Sequence, residues 1–244
     1  MGWAGGTSLS MLEHIGSTPG CRGVLSVVPR YHRPVSTYDS TTALIVIDVQ
    51  NDFADPAGSL PVEGGADVVP VINAEIEAAV RAGGHVFYTQ DWHPPSTPHF
   101  EKDGGLWPVH CVAGTWGAAF HPGLRVEGPV VRKGSHGEDG YSGFSMRDPE
   151  TGETRPTELD DLLKAAGVTR LVIVGLATDY CVLATGVDAR ARDYPTTVLA
   201  AGVRAVDLAA GDGARALAEL RLAGAFVDEA GTRPSRGTGH AEAH

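Results

Sequence analysis

A cysteine, a lysine and an aspartate each lie at or just after the end of a short apolar run. Cys181 comes five residues after TRLVIVGL, Lys133 ends PVVRK, and Asp48 directly follows TALIVI. A thiolate attacks carbonyl carbons, a carboxylate moves the proton, and an ammonium group stabilises both anions. We also expect Cys181 to begin a helix, whose positive end lowers the pKa of a thiol. Together these residue types favour nucleophilic catalysis over a buried thiol, a helix cap and a surface lysine.

A second group of residues offers the donor atoms that transition metals prefer. Asp91 and His93 alternate along an extended segment, so their side chains point to the same side of it. His99 follows in a proline-rich loop, and His110 ends the sequence WPVH. One carboxylate with two or three imidazoles suits Zn²⁺, Fe²⁺ or Mn²⁺. The sequence therefore indicates a site for one divalent metal ion.

These residues require a fold that brings several connections together. Continuous apolar runs, typical of strands buried on both faces, alternate with segments of helical spacing. The predicted strands cover residues 42–50, 85–93, 129–134, 169–176, 196–202 and 225–229, and the predicted helices cover 65–84, 179–192 and part of 213–223. We therefore expect an α/β fold, a doubly wound, mostly parallel sheet of about six strands with helices on both faces. Ligands bind beyond the carboxyl ends of such strands, where the reactive residues lie.

Composition excludes several classes of partner. The formal net charge of −11 argues against nucleic acid, because phosphate binding depends on clusters of lysine and arginine. No apolar run approaches the ~20 residues of a membrane span, so no membrane partner is expected. The three cysteines, Cys21, Cys111 and Cys181, are too few and odd in number for a disulfide framework. We therefore expect a reducing, cytoplasmic location.

The ends of the chain differ from its centre. Residues 1–40 are rich in glycine, serine, threonine and proline without a sustained period, which predicts a flexible N-terminal extension. Residues 41–232 form the predicted catalytic domain, and residues 233–244 are expected to be a disordered tail.

Five motifs, in this order, resemble the nicotinamidases, or pyrazinamidases, of the isochorismatase-like hydrolase superfamily. They are DVQNDF (48–53), DWHPPSTPHF (91–100), WPVHCVAGTWGAAFHP (107–122), RKG…YSGF (132–144) and GLATDYCV (175–182). The resemblance implies an isochorismatase-like hydrolase fold. It also implies hydrolysis of nicotinamide to nicotinate and ammonia in NAD salvage, with pyrazinamide as a further substrate.

Residue by residue, the resemblance assigns the catalytic triad to Asp48, Lys133 and Cys181. Cys181 would form a thioester with the substrate, and Asp48 would take the thiol proton and deliver it to ammonia. The backbone amides of Ala177 and Cys181 would form the oxyanion hole, with a cis peptide bond between Leu176 and Ala177.

The resemblance also implies the binding sites for metal and substrate. Asp91, His93 and His110 match the shared metal ligands of the family. His99 matches the fourth ligand of the mycobacterial-type subgroup, and whether it binds metal in this chain stays open. The implied ion would hold the ring nitrogen of nicotinamide, directly or through water.

Aromatic side chains supply the implied walls of the substrate pocket. Phe53, Trp107 and Tyr141 fall on the substrate positions of the family, although one extra residue separates Tyr141 from Lys133. Tyr180 stands where some relatives carry histidine. Ordinary packing is the alternative for each ring.

The sequence leaves other functions open. The nearest is another amidase of the superfamily, acting on a carbamoyl or ureido substrate. Vinyl-ether hydrolysis needs no cysteine nucleophile, which Cys181 argues against, and a non-catalytic metal-binding protein is the third alternative. The sequence does not fix the metal, the preference among aromatic amides or the oligomeric state, with a homo-oligomer among the alternatives.

Overall fold

The computed structural model describes residues 38–229, which contain one six-stranded sheet and one small hairpin. The strands are β1 (Thr42–Ile47), β2 (His85–Asp91), β3 (Val130–Lys133), β4 (Ser145–Arg147), β5 (Thr154–Pro156), β6 (Arg170–Leu176), β7 (Thr196–Arg204) and β8 (Phe226–Asp228). The order across the large sheet is β3-β2-β1-β6-β7-β8, and every pairing in it is parallel. Strands β4 and β5 form the separate antiparallel hairpin.

Helices cover both faces of this sheet, as predicted. They are α1 (Asn51–Ala54), α2 (Val68–Arg81), α3 (Leu159–Ala165), α4 (Leu183–Ala191) and α5 (Asp212–Leu222). Leu44 and Val46 of β1 belong to the core layer that includes α2. Ile45 and Ile47 belong to the opposite layer, which includes buried residues of α3, α4 and α5. Since both faces of β1 are covered, residues 43–47 of the strand are all apolar rather than alternating with polar ones.

The strand order reverses between β1 and β6. The chain continues from β1 toward β2 and β3 on one side, and from β6 toward β7 and β8 on the other. The connections that leave these two strands therefore diverge and open a crevice at the carboxyl edge of the sheet. Asp48 follows β1 and Cys181 follows β6, so both residues lie at this crevice.

Several local elements differ from the sequence-based expectation. Helices α1 and α3 and the β4–β5 hairpin were not predicted: α1 has four residues, α3 has seven, and β4 and β5 have three each, too short for a clear period. The predicted helix over 179–192 is instead a π-helical turn, Thr178–Val182, followed by α4.

The described domain begins with specific contacts. The Tyr38 hydroxyl donates to Glu75 Oε2 of α2 at 2.8 Å, and the Asp39 carboxylate pairs with Arg170 at the start of β6. Residues 1–37 and 230–244 lie outside the described residues, so the flexible extension, the disordered tail and the domain limits stay predictions. Within residues 38–229, none of the helices has the length and apolar character needed to cross a bilayer.

Candidate active site

The three residues of the predicted catalytic triad meet at the carboxyl edge of the sheet. Lys133 Nζ donates to Asp48 Oδ2 at 2.8 Å and lies 3.6 Å from Cys181 Sγ. Thr89 of β2 donates its hydroxyl to the other oxygen, Asp48 Oδ1, at 2.6 Å. Asp48 and Lys133 are fully buried and Cys181 is 7% exposed. The thiol, the carboxylate and the ammonium group are therefore held in one small cluster that is almost inaccessible to solvent.

Burial and neighbouring charges shift the pKa values of these groups. It raises the pKa of the Cys181 thiol well above its usual value, although the Lys133 charge acts in the opposite direction. The expected lowering of the Cys181 thiol pKa is therefore not found, because burial outweighs the charge of Lys133. Burial also raises the pKa of Asp48, to about 6, so this carboxyl is suited to accept the thiol proton near neutral pH.

Lys133 remains the cation of the cluster. Burial alone would lower the pKa of Lys133, but the charges of Asp48 and Asp91 outweigh it and raise the pKa well above its usual value. The ammonium group also donates to the backbone carbonyl of Gly140. Lys133 therefore compensates two buried carboxylates at once.

The predicted metal ligands lie beside this cluster. His93, His99 and His110 are buried and bring one ring nitrogen each to within 4.8 Å of the others. Asp91 Oδ2 lies 3.8 Å from His93 Nε2 and 3.9 Å from His110 Nε2. Both ring nitrogens of His93 lack a hydrogen-bond partner among residues 38–229, although the residue is fully buried. A buried imidazole without a partner is costly, so the donor set fits a divalent metal ion.

A second group with metal-binding atoms has a different explanation. Oxygen and sulfur atoms of Asp48, Asp91 and Cys181 also lie within 4.8 Å of one another. Lys133 Nζ is 2.8 Å from Asp48 Oδ2 and forms an ion pair with Asp91 Oδ1, also at 2.8 Å. A cation therefore already compensates these acidic groups, and it comes from the protein.

A narrow cavity connects the thiol with the histidines. The volume that the centre of a water molecule can occupy in this cavity is about 30 Å³. Aromatic side chains form much of the cavity wall. Trp107 donates its indole N–H to the Tyr141 hydroxyl at 2.9 Å, and the rings of Trp107 and Tyr180 pack edge to face at 4.8 Å. Among the predicted residues, those that line the cavity are Phe53, Asp91, His99, Trp107, His110, Tyr141, Ala177, Tyr180 and Cys181. Asp48, Lys133 and His93 lie in the buried layer behind them.

The Isochorismatase domain model matches residues 42–230, most of this chain. The chain belongs to the isochorismatase family. It is 40% identical over 190 residues to a nicotinamidase/pyrazinamidase of Mycobacterium tuberculosis, covering 74% of this chain and 95% of that protein. A ureidoacrylate amidohydrolase of Methylobacterium radiotolerans is 34% identical, with 71% of each chain covered.

Two solved structures, one with zinc and one with nicotinate, resemble more than three quarters of this chain. The zinc complex of a Pyrococcus horikoshii pyrazinamidase has a TM-score of 0.68 at 36% identity, covering 77% of this chain and 98% of that one. The nicotinate complex of PnC1 from L. infantum has a TM-score of 0.70 at 36% identity, covering 78% and 94%.

In this isochorismatase-family chain, a tight turn connects β6 to the segment that contains Cys181. The peptide bond between Leu176 and Ala177 is cis, as the resemblance implied. Gly175, with φ of 119°, passes so close to β1 that an added Cβ would lie 2.1 Å from the Ile47 carbonyl oxygen. Only glycine fits that approach. The turn leads directly into the π-helical segment that contains Cys181.

Sequence reasoning missed Gln50, which holds the backbone of a predicted metal ligand. Its side-chain Nε2 donates to the Asp91 carbonyl at 2.8 Å and to the Ala118 carbonyl at 2.9 Å, and its Oε1 accepts from Asp91 N–H at 2.8 Å. Gln50 is fully buried. Asp91 lies beyond the part of β2 that pairs with β1, so its backbone has no partner on that strand. The Gln50 carboxamide provides this partner instead. Gln50 is part of the motif DVQNDF, but nothing in the spacing shows that its amide faces Asp91.

Proposed function

We propose that this chain is a metal-containing nicotinamidase, which hydrolyses nicotinamide to nicotinate and ammonia through a thioester on Cys181. The observation that carries the proposal is one cavity with aromatic walls that has the thiol on one side and the histidine–aspartate group on another. A flat aromatic amide suits such walls, because ring stacking adds about 0.5–1.5 kcal/mol to area burial. The similarity to nicotinamidases of other organisms supports the same substrate.

The first half-reaction uses the buried triad. Asp48 takes the proton of the Cys181 thiol, and the sulfur attacks the carboxamide carbon of the substrate. The carbonyl oxygen becomes an oxyanion, which the backbone N–H groups of Ala177 and Cys181 stabilise. The Lys133 ammonium, 3.6 Å from the sulfur, stabilises the thiolate as it forms.

Ammonia leaves at the end of the first half-reaction, and the second restores the thiol. Protonated Asp48 delivers its proton to the departing nitrogen, the C–N bond breaks, and ammonia leaves behind a nicotinoyl thioester on Cys181. Asp48 then takes one proton from water, whose oxygen attacks the thioester carbon. The C–S bond breaks, Asp48 returns that proton to the sulfur, and the acid leaves as nicotinate after its remaining proton passes to solvent.

A divalent metal ion completes the proposed site. Asp91, His93, His99 and His110 would hold Zn²⁺, Fe²⁺ or Mn²⁺. When bound, such an ion supplies a Lewis-acidic position for the pyridine nitrogen, which orients the amide over Cys181. The aromatic side chains Phe53 and Trp107 then restrict the plane of the ring and exclude water from the reacting carbon.

The decisive experiment compares two amides on the same metal-loaded protein. Ammonia release is measured with nicotinamide and with ureidoacrylate, the second because of the similarity to an enzyme named for it. We expect kcat/KM for nicotinamide to exceed that for ureidoacrylate by at least about 100-fold, as expected when a site is shaped for one substrate. A preference for ureidoacrylate would contradict the proposal.

A further inference from the structure

His99 differs from the other two histidines of the metal-binding group in its hydrogen-bond partner. His99 Nδ1 lies 2.7 Å from Asp139 Oδ1, and the two side chains are 4% and 18% exposed. His110 Nδ1 instead lies 2.7 Å from the carbonyl oxygen of Pro108, within its own loop. His99 thus has a charged partner from a distant part of the chain.

This contact selects one tautomer of His99. A carboxylate only accepts hydrogen bonds, so Nδ1 of His99 carries the proton and donates it to Asp139. The lone pair of Nε2 is then available to a metal ion. A carboxylate behind a ligating histidine also fixes the ring orientation and makes the free nitrogen more basic.

The hairpin that sequence analysis missed supports Asp139. The backbone N–H of Asp139 donates to the Arg147 carbonyl at 2.7 Å, and Arg147 N–H donates back at 2.9 Å. Arg147 is the last residue of β4 and pairs with Thr154 of β5. Its guanidinium lies 3.6 Å from Asp139 Oδ2. Hairpin β4–β5 therefore positions the backbone of Asp139 and places a cation near its carboxylate.

A second contact joins the two loops that meet here. Thr97 Oγ1, two residues before His99, donates to the Gly137 carbonyl at 2.8 Å, two residues before Asp139. The His99 loop is thus tied to the Asp139 loop at two points. This arrangement gives the ring of His99 a defined position before any ion binds.

We propose that Asp139, supported by hairpin β4–β5, is the positioning residue that makes His99 a fourth metal ligand in this chain. The inference rests on the proposed function only for the presence of the metal. Asp139 does not line the substrate cavity, so it acts through His99 rather than on the substrate.

The test measures metal affinity without substrate. Metal-free full-length protein is titrated with Zn²⁺ in competition with a chromogenic chelator. The variants are Asp139→Ala, Asp139→Asn, His99→Ala and the double variant Asp139→Ala/His99→Ala. Asp148→Ala is the matched control: its carboxylate accepts from backbone N–H groups of Glu150 and Thr151 in the same hairpin.

We expect Asp139→Ala to raise the Kd for Zn²⁺ by about 10- to 100-fold, the usual effect of losing the carboxylate behind a ligating histidine. Asp139→Asn should lose less, because its amide oxygen still accepts from Nδ1–H. Asp148→Ala should stay within about twofold, and the double variant should bind no more weakly than His99→Ala. The visible spectrum of the Co²⁺-loaded protein should change in Asp139→Ala as in His99→Ala.

Three results would overturn the inference. They are wild-type affinity in Asp139→Ala, an equal loss of affinity when His99 is already absent, and a wild-type protein that binds no Zn²⁺. A protein with the expected affinities that releases no ammonia from nicotinamide would support the inference and contradict the proposed function.

Discussion

Replacing Gln50 by alanine should damage both stability and metal binding. The substitution removes the partners of Asp91 N–H and Asp91 C=O, both at 2.8 Å. Each buried backbone group left without a partner costs about 1–3 kcal/mol, so the two together lower the free energy of unfolding by about 2–6 kcal/mol. Because the affected backbone belongs to a proposed metal ligand, zinc affinity should fall as well.

Gln90→Ala is the matched control for this prediction. Gln90 is also a buried glutamine and donates to the same carbonyl, that of Ala118, at 2.9 Å. That carbonyl keeps the hydrogen bond from Gln50 when Gln90 is truncated. Gln90 Oε1 also accepts from Arg132 Nε at 3.2 Å, but Arg132 is exposed and can bind water instead. No buried group is left without a partner, so the loss should stay at about 1–2 kcal/mol for the two hydrogen bonds.

Urea unfolding of the metal-free proteins measures the difference. With the dependence on urea unchanged, the midpoint for Gln50→Ala should lie clearly below that of Gln90→Ala. Equal midpoints for the two variants would refute the reasoning that Gln50 substitutes for a backbone partner of Asp91.

Three further predictions concern other contacts of the site and core. Gly117→Ala should lower the free energy of unfolding, measured with urea, by about 2 kcal/mol or more. The added Cβ would lie 2.1 Å from Asp52 Oδ2 and displace a carboxylate that accepts from the backbone N–H groups of Ser59 and Cys111. Unchanged stability would contradict this. Thr89→Val removes a hydrogen bond that lowers the pKa of Asp48, which is about 6 in the wild type, so this pKa should rise. Because kcat/KM needs the ionised carboxylate, its decline on acidification should begin at a higher pH than in the wild type. An unshifted pH profile would argue against Asp48 as the base. Burial raises the pKa of Tyr194 to about 12, so its contribution to stability is complete below about pH 10 and is lost as pH rises toward 12; this part of the pH dependence in urea unfolding should vanish in Tyr194→Phe.

The sheet was predictable because its strands are buried on both faces. A run such as residues 43–47 has no polar position, which separates it from the amphipathic spacing of α2. The predicted end of β1 at residue 50 was too late. Asp48 has φ of 46°, a left-handed conformation that ends the strand and that aspartate adopts without any mark in the sequence.

Convergence at the strand ends was predictable, but protonation and support were not. Parallel topology alone places Asp48, Lys133 and Cys181 at one edge. The burial that raises the pKa of the Cys181 thiol depends on the packing of several loops. Gln50 and Asp139 act through the backbone of Asp91 and the ring of His99, contacts that exist only after the loops have folded.

In the proposed reaction, Cys181 forms a nicotinoyl thioester as nicotinamide releases ammonia. The most direct measurement is kcat for ammonia release from nicotinamide by zinc-loaded wild type, Cys181→Ala and Cys111→Ala. Cys111 is the matched buried cysteine, with its sulfur 3.9 Å from the Gly117 carbonyl. We expect a loss of at least about 1,000-fold in Cys181→Ala, as for other enzymes that lose their nucleophile, and of less than about tenfold in Cys111→Ala. Ammonia release by Cys181→Ala at a rate near that of the wild type would contradict the proposed reaction.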